Sequence, residues 1–168
     1  MTDISLSGGS RAPWNRNDRT GFVISTVAPV LAVLAINALI FAAGWSENDA
    51  AYDAVSFNPT GWLVGAIWLV IYPMWGAARW YAYQTGLAGR RASFWILGLM
   101  LWGLLYPFIT SGSNTFVSVA CNVISLGLVL AAALRAHAVS KRAFWLIAPS
   151  IAWIGFATFL GFAALQHV

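Results

Sequence analysis

Four tryptophans, Trp68, Trp75, Trp102 and Trp153, fall well inside long apolar runs of the sequence. An indole surrounded by hydrocarbon keeps one N–H donor that water cannot reach, so each of the four calls for an acceptor or a binding partner. On a helix Trp68 and Tyr72 share a face at i, i+4, and so do Trp102 and Tyr106. Such faces, brought together, outline a flat-walled apolar slot suited to a planar polycyclic ligand. A tightly packed or lipid-facing aromatic core satisfies the same spacing. Catalysis has less to draw on: the apolar runs hold no phosphate-cradling motif, metal-ligand spacing, Ser-His-Asp set or paired carboxylates. His137 and His167 fall at opposite faces of the expected fold and cannot share one metal in a monomer, and His137 reads as an interfacial residue. A non-enzymatic protein with no metal site and no required cofactor is expected.

The elements that must position these rings follow from composition. Of the 168 residues 60% are hydrophobic and 8% charged, and the mean hydropathy is +0.74, which excludes an ordinary soluble domain. A single cysteine, Cys121, excludes an internal disulfide framework. Five apolar segments, near 22–44, 60–83, 92–110, 114–136 and 143–165, each approach the ~20 residues needed to cross a hydrocarbon core. The expectation is an all-α membrane protein: a polar N-terminal tail over 1–21, then one five-helix transmembrane domain over 22–168. None of the segments contains an acid. The first starts too far from the N-terminus to read as a cleaved signal peptide.

Charge placement sets sidedness, because cytoplasmic loops collect Lys and Arg. Arg11, Arg16 and Arg19 precede the first segment, Arg79, Arg90 and Arg91 flank the second connection, and Arg135, Lys141 and Arg142 flank the fourth. The first and third connections and the C-terminus carry neither residue type. Five crossings with a cytoplasmic N-terminus and a periplasmic C-terminus fit this alternation, and a bacterial cytoplasmic membrane is the expected host. The bases are too dispersed for a nucleic-acid footprint. Lipid gives apolar faces no reason to associate, so small and polar residues must hold the helices together. Gly61 with Gly65, Ala157 with Gly161, and Ser118, Asn122 and Ser125 have that spacing, and Asn37 and Asn122 need interhelical partners. Trp14, Trp45, Trp80 and Trp145 lie at segment ends, where indoles favour the headgroup level.

The stretch FNPTGWLVGAIWLVIYPMWGAA, residues 57–78, resembles the second-helix signature of the TspO/MBR family, W-x-P-P-x-W-V-F-x-x-x-W-x-x-L-Y-x-x-M-G-x-A. Phe57, Pro59, Trp62, Trp68, Tyr72, Gly76 and Ala78 stand in register with it. Trp102 and Tyr106 align with the family's N-x-x-W-x-x-x-F-F on the third helix. Pro149, Trp153, Ala157, Thr158 and Leu160 align with P-Y-x-x-W-x-x-x-A-T-x-L-N on the fifth. The resemblance implies a five-helix bundle of TspO/MBR type, often homodimeric, with a pocket opening toward the first loop. It implies binding, sensing or translocation of porphyrins and haem-type tetrapyrroles. Carried over by position, the pocket comprises Tyr52, Pro59, Val64, Trp68, Tyr72, Trp102, Trp153 and Ala157. The family's enzymatic hypothesis is light-driven porphyrin breakdown, with tryptophans as electron donors.

Departures from the pattern matter as well. Thr60 replaces the second proline, Trp95 and Leu99 replace a glutamine and an asparagine, and Ser150 and Gly161 replace a tyrosine and an asparagine. These changes imply a drier cavity. No aromatic and basic pair of the sterol-recognition kind follows the fifth segment, so sterol transport is not expected. Two other roles remain open: an accessory subunit packed on a larger membrane complex, presenting Trp75 and Trp95 outward, and a carrier of another lipophilic metabolite.

Overall fold

A computed structural model of the chain describes residues 19–45 and 50–168. Arg11, Trp14, Arg16, Glu47 and Asp49 lie outside the described residues. Five long helices cross in alternation: α1 (Arg19–Ala42), α3 (Gly61–Tyr83), α4 (Leu87–Thr110), α5 (Thr115–His137) and α6 (Lys141–Ala164). Each is long and apolar enough to span a bilayer, and helices are what hydrocarbon demands because it offers backbone N–H and C=O groups no partner. A short helix, α2 (Ala50–Asp53), lies in the first connection, and a single 3-10 turn, Leu165–His167, follows α6. No strand occurs among the described residues.

The second connection is shorter than its polarity suggests. The expected spans leave residues 84–91 between them, yet α4 begins at Leu87. Arg90 and Arg91 end the apolar run without ending the helix, since arginine is a good helix former. The turn is confined to the residues around Gly86, whose φ of +87° is one that only glycine adopts cheaply. Asn114 and Ser140 cap α5 and α6, their side chains accepting from the N–H groups of Val117 and Ala143.

Helices α3, α4, α5 and α6 form a closed ring of neighbours, and α1 packs on the outside of α3 with a lesser contact to α4. Only Gly21 and Val33 of α1 are buried, whereas Trp75, Ile96, Leu99, Ile147, Val129 and Ser150 are the largest fully buried side chains. The core therefore sits inside the ring. The α1–α3 contact depends on Gly76: a Cβ there would lie 2.0 Å from the Ser25 carbonyl oxygen. Ser25 Oγ donates to the Gly76 carbonyl at 2.7 Å across the same contact. Asn37 reaches the Gly65 carbonyl one helix over, at 3.5 Å, so close approach at a small residue and a polar contact occur together, as lipid packing requires.

All seven described Lys and Arg residues lie at one end of the bundle, the start of α1, α4 and α6 and the end of α3 and α5. Phe22 on Trp80, His137 on Phe144 and the Arg142 guanidinium over Tyr81 tie those helix ends together. Asp53, the one carboxylate side chain among the described residues, lies at the other end.

Candidate ligand site

The half of the bundle nearer α2 holds most of the interior polar groups, and nearly all are satisfied between helices. Tyr106 of α4 donates to Asn122 Oδ1 of α5 at 2.8 Å. Asn122 Nδ2 donates to the Ala157 carbonyl of α6 at 3.2 Å. Trp102 Nε1 donates to Ser125 Oγ at 2.7 Å, and that hydroxyl donates on to the Cys121 carbonyl at 2.7 Å. Thr158 Oγ1 bonds back to the Ile154 carbonyl at 2.7 Å. Each interhelical bond of this kind contributes on average ~0.6 kcal/mol, so the network orients side chains more than it cements the fold.

Lower in the ring a second set fixes the aromatic core. Trp68 meets Tyr72 edge-on with centroids 5.9 Å apart, and meets Trp75 at 5.8 Å. Tyr72 is 2% exposed and donates to the Met100 carbonyl at 3.0 Å. Gly103 makes room for that hydroxyl, since a Cβ there would lie 2.6 Å from it. Trp75 is 1% exposed, and its indole donates to Ser150 Oγ at 2.9 Å. This corrects the expectation that Trp75 presents an outward face; only Trp95, 41% exposed, does so. The reason is helical geometry, because Trp75 follows Trp68 at i+7 and Tyr72 at i+3 and lies on the same inward stripe.

The third set belongs to α6. Trp153, Ala157 and Gly161 stand at i, i+4 and i+8, a single stripe. Trp153 stacks on Phe156 at 5.7 Å, Phe156 meets Phe57 at 6.3 Å, and Phe57 stacks on Phe159 at 5.8 Å. A ladder of rings thus runs from the first connection to mid-bilayer. Helix α2 closes over the same end: Ala51 and Val55 pack on Leu160 and Ala164, with Tyr52 and Phe156 alongside. The Tyr52 hydroxyl comes within 3.2 Å of where a Gly161 Cβ would stand. Below Trp153 an open groove of about 340 Å³ separates α3 from α6, lined by Ile67, Val70, Ile71, Met74 and Pro149 besides Trp153.

The eight residues expected to line a pocket are thus distributed. Tyr52, Trp153 and Ala157 gather on the α6 stripe, Trp68 and Tyr72 share the α3 interior face, and Trp102 is tied to α5. Pro59 and Val64 are half-buried toward the α2 end of α3. Among the described residues, the indole N–H groups of Trp75 and Trp102 have acceptors, and those of Trp68 and Trp153 have none. Sequence reasoning missed Phe156, although its i+3 spacing from Trp153 signals a stacked pair. It read Asn122 only as a packing contact. With its Nδ2 3.5 Å from the Gly161 Cβ position, Asn122 supplies an amide from α5 beside the place where the fifth-helix pattern has its own.

A profile of the TspO/MBR family matches residues 25–166. The chain belongs to the TspO/MBR family. It is 28% identical to the tryptophan-rich protein TspO of Archaeoglobus fulgidus over 149 residues, 84% of this chain and 95% of that protein. It is 26% identical to the tryptophan-rich protein TspO of Chlorobaculum tepidum over 118 residues, 66% of this chain and 73% of that one. No solved structure matches the chain. Membership and the five long apolar helices make this an integral membrane protein. Within the family pattern, the departure at Ser150 takes on a defined role, as acceptor for the buried Trp75.

Proposed function

We propose that the protein binds a planar hydrophobic small molecule, a tetrapyrrole of the porphyrin or haem class, in the half of its membrane domain nearer α2, and senses or moves it there. One observation carries the reading: Trp68 and Trp153 are half-buried on contacting helices, with no acceptor for either indole N–H among the described residues. Within a bilayer an acceptor for such an N–H is worth on average ~0.6 and at most about 1.7 kcal/mol, which a ligand would supply. The groove beside Trp153 faces outward between α3 and α6, so a ligand dissolved in the bilayer can approach sideways without crossing a headgroup layer. Its size suits the lower range of small-molecule sites. The ladder through Phe156 and Phe57 extends the stacking surface toward α2.

On this reading the pigment is a ligand rather than a required cofactor, and binding is not coupled to its breakdown. The basic end faces the cytoplasm by the positive-inside rule, and the α2 end faces outward from a bacterial inner membrane. Dimerisation through a lipid-facing surface is compatible with the site. The accessory-subunit alternative loses the support drawn from Trp75, which is interior.

The test is a fluorescence titration with protoporphyrin IX in nanodiscs. Saturable quenching is expected, and Trp68→Phe and Trp153→Phe, which keep a ring but remove the N–H, should each weaken binding roughly 2- to 10-fold. Linear, non-saturating quenching, or affinities unchanged in both variants, would overturn the reading. Illumination should leave the bound pigment's spectrum intact; bleaching that depends on Trp68 or Trp153 would favour the photochemical alternative.

A further inference from the structure

A second groove lies at the opposite, basic end of the same helix pair. It has a volume of about 370 Å³ and is lined by Tyr81 of α3 and by Lys141, Arg142, Trp145 and Leu146 of α6. We propose that it holds one anionic phospholipid, the phosphate between Lys141 and Arg142 and an acyl chain along Trp145 and Leu146.

Two observations converge on that occupant. The first is uncompensated charge: the described part of this end carries seven Lys and Arg and no carboxylate side chain. None of those seven forms an ion pair with a described residue. The second is the arrangement of the lining. Arg142 is held over the Tyr81 ring, Cζ to centroid 5.9 Å, which fixes its position while leaving its N–H donors for an anion. One helical turn further into the bilayer Trp145 is 69% exposed, so the polar and apolar linings follow one another in the order of a headgroup and its chain. Both observations call for an acceptor bearing negative charge, and a basic cleft between membrane helices at the headgroup level is where an anionic lipid supplies one. A zwitterionic lipid would bring its own cation into a region already in excess. The groove is separate from the Trp68 and Trp153 region, and the inference does not depend on tetrapyrrole binding.

The experiment uses the full chain in detergent micelles doped with phospholipids brominated on the acyl chain, reading quenching of tryptophan fluorescence. Brominated phosphatidylglycerol should quench more than brominated phosphatidylcholine, and Trp145→Phe should remove that excess. The double variant K141Q/R142Q should reduce the preference for phosphatidylglycerol roughly 10- to 30-fold. The double variant R90Q/R91Q carries the same charge change at the same end, outside the groove, and should keep the preference. Free glycerol phosphate should not compete. Equal quenching by the two lipids, equal loss in both double variants, or full competition by glycerol phosphate would overturn the proposal. Thermal melts of each variant without added lipid separate loss of binding from loss of folding, and K141Q/R142Q melting with the parent while keeping the full preference counts against the site.

Discussion

Ser150→Ala isolates the contact that replaces a family residue in the middle of the bundle. Ser150 Oγ accepts from Trp75 Nε1 at 2.9 Å and donates to its own helix at the Ile147 carbonyl, 2.6 Å away. Alanine removes one oxygen and leaves almost no void, so packing loss is small. What remains is a buried indole donor without an acceptor. In water-based accounting that orphan costs about 1–3 kcal/mol, but in a membrane the separated helices also find partners, and measured couplings average ~0.6 with a maximum near 1.7 kcal/mol. The second figure governs here because the indole never reaches water in either state. Trp75→Phe alone should cost more than Ser150→Ala, since it also shrinks a fully buried ring, and the double variant W75F/S150A should be more stable than the sum of the single effects by roughly 0.6–1.7 kcal/mol. Reversible SDS titration in mixed micelles measures all four corners. A coupling of zero, or Ser150→Ala matching the parent, would show that the two side chains are merely adjacent.

Further variants test the rest of the architecture. Gly76→Ala should push α1 away from α3 and lower stability by about 1–3 kcal/mol, because the new Cβ would meet the Ser25 carbonyl oxygen at 2.0 Å, a backbone atom that cannot swing aside; thermal melts in detergent report it. Asn122→Leu should weaken protoporphyrin binding as well as stability by about 1 kcal/mol, since it severs the links to Tyr106 and the Ala157 carbonyl; unchanged melting and unchanged titration would show the amide idle. Gly161→Ala should be tolerated at a cost of about 1 kcal/mol, because the nearest atom to its Cβ, at 2.9 Å, is a Val119 methyl and not backbone.

The spans were legible because an unbroken apolar run of about twenty residues suits a bilayer crossing and little else, and the charge alternation reappears as a bundle with all described bases at one end. The start of α4 was not, because hydropathy marks where a helix leaves the hydrocarbon, while Leu87–Arg91 continue the same helix into the headgroups. Which faces turn inward was harder still. In lipid both faces of a helix are apolar, so the usual amphipathic signal is absent, and the inward side of α3 declares itself only through the i, i+4, i+7 run of Trp68, Tyr72 and Trp75. Asn37 and Asn122 were legible as interhelical donors because hydrocarbon leaves an amide no alternative. The Phe57–Phe156 contact joins residues far apart in sequence, and nothing local announces it.

Induced circular dichroism of bound protoporphyrin IX is the sharpest probe of a shared aromatic site, because an achiral pigment acquires a Soret signal only when held in a fixed, asymmetric environment. The parent protein should give a signal that is lost in W68F/W153F and kept in Trp145→Phe. A Soret band that stays optically silent on saturation, or a signal indifferent to Trp68 and Trp153, would contradict the proposed site.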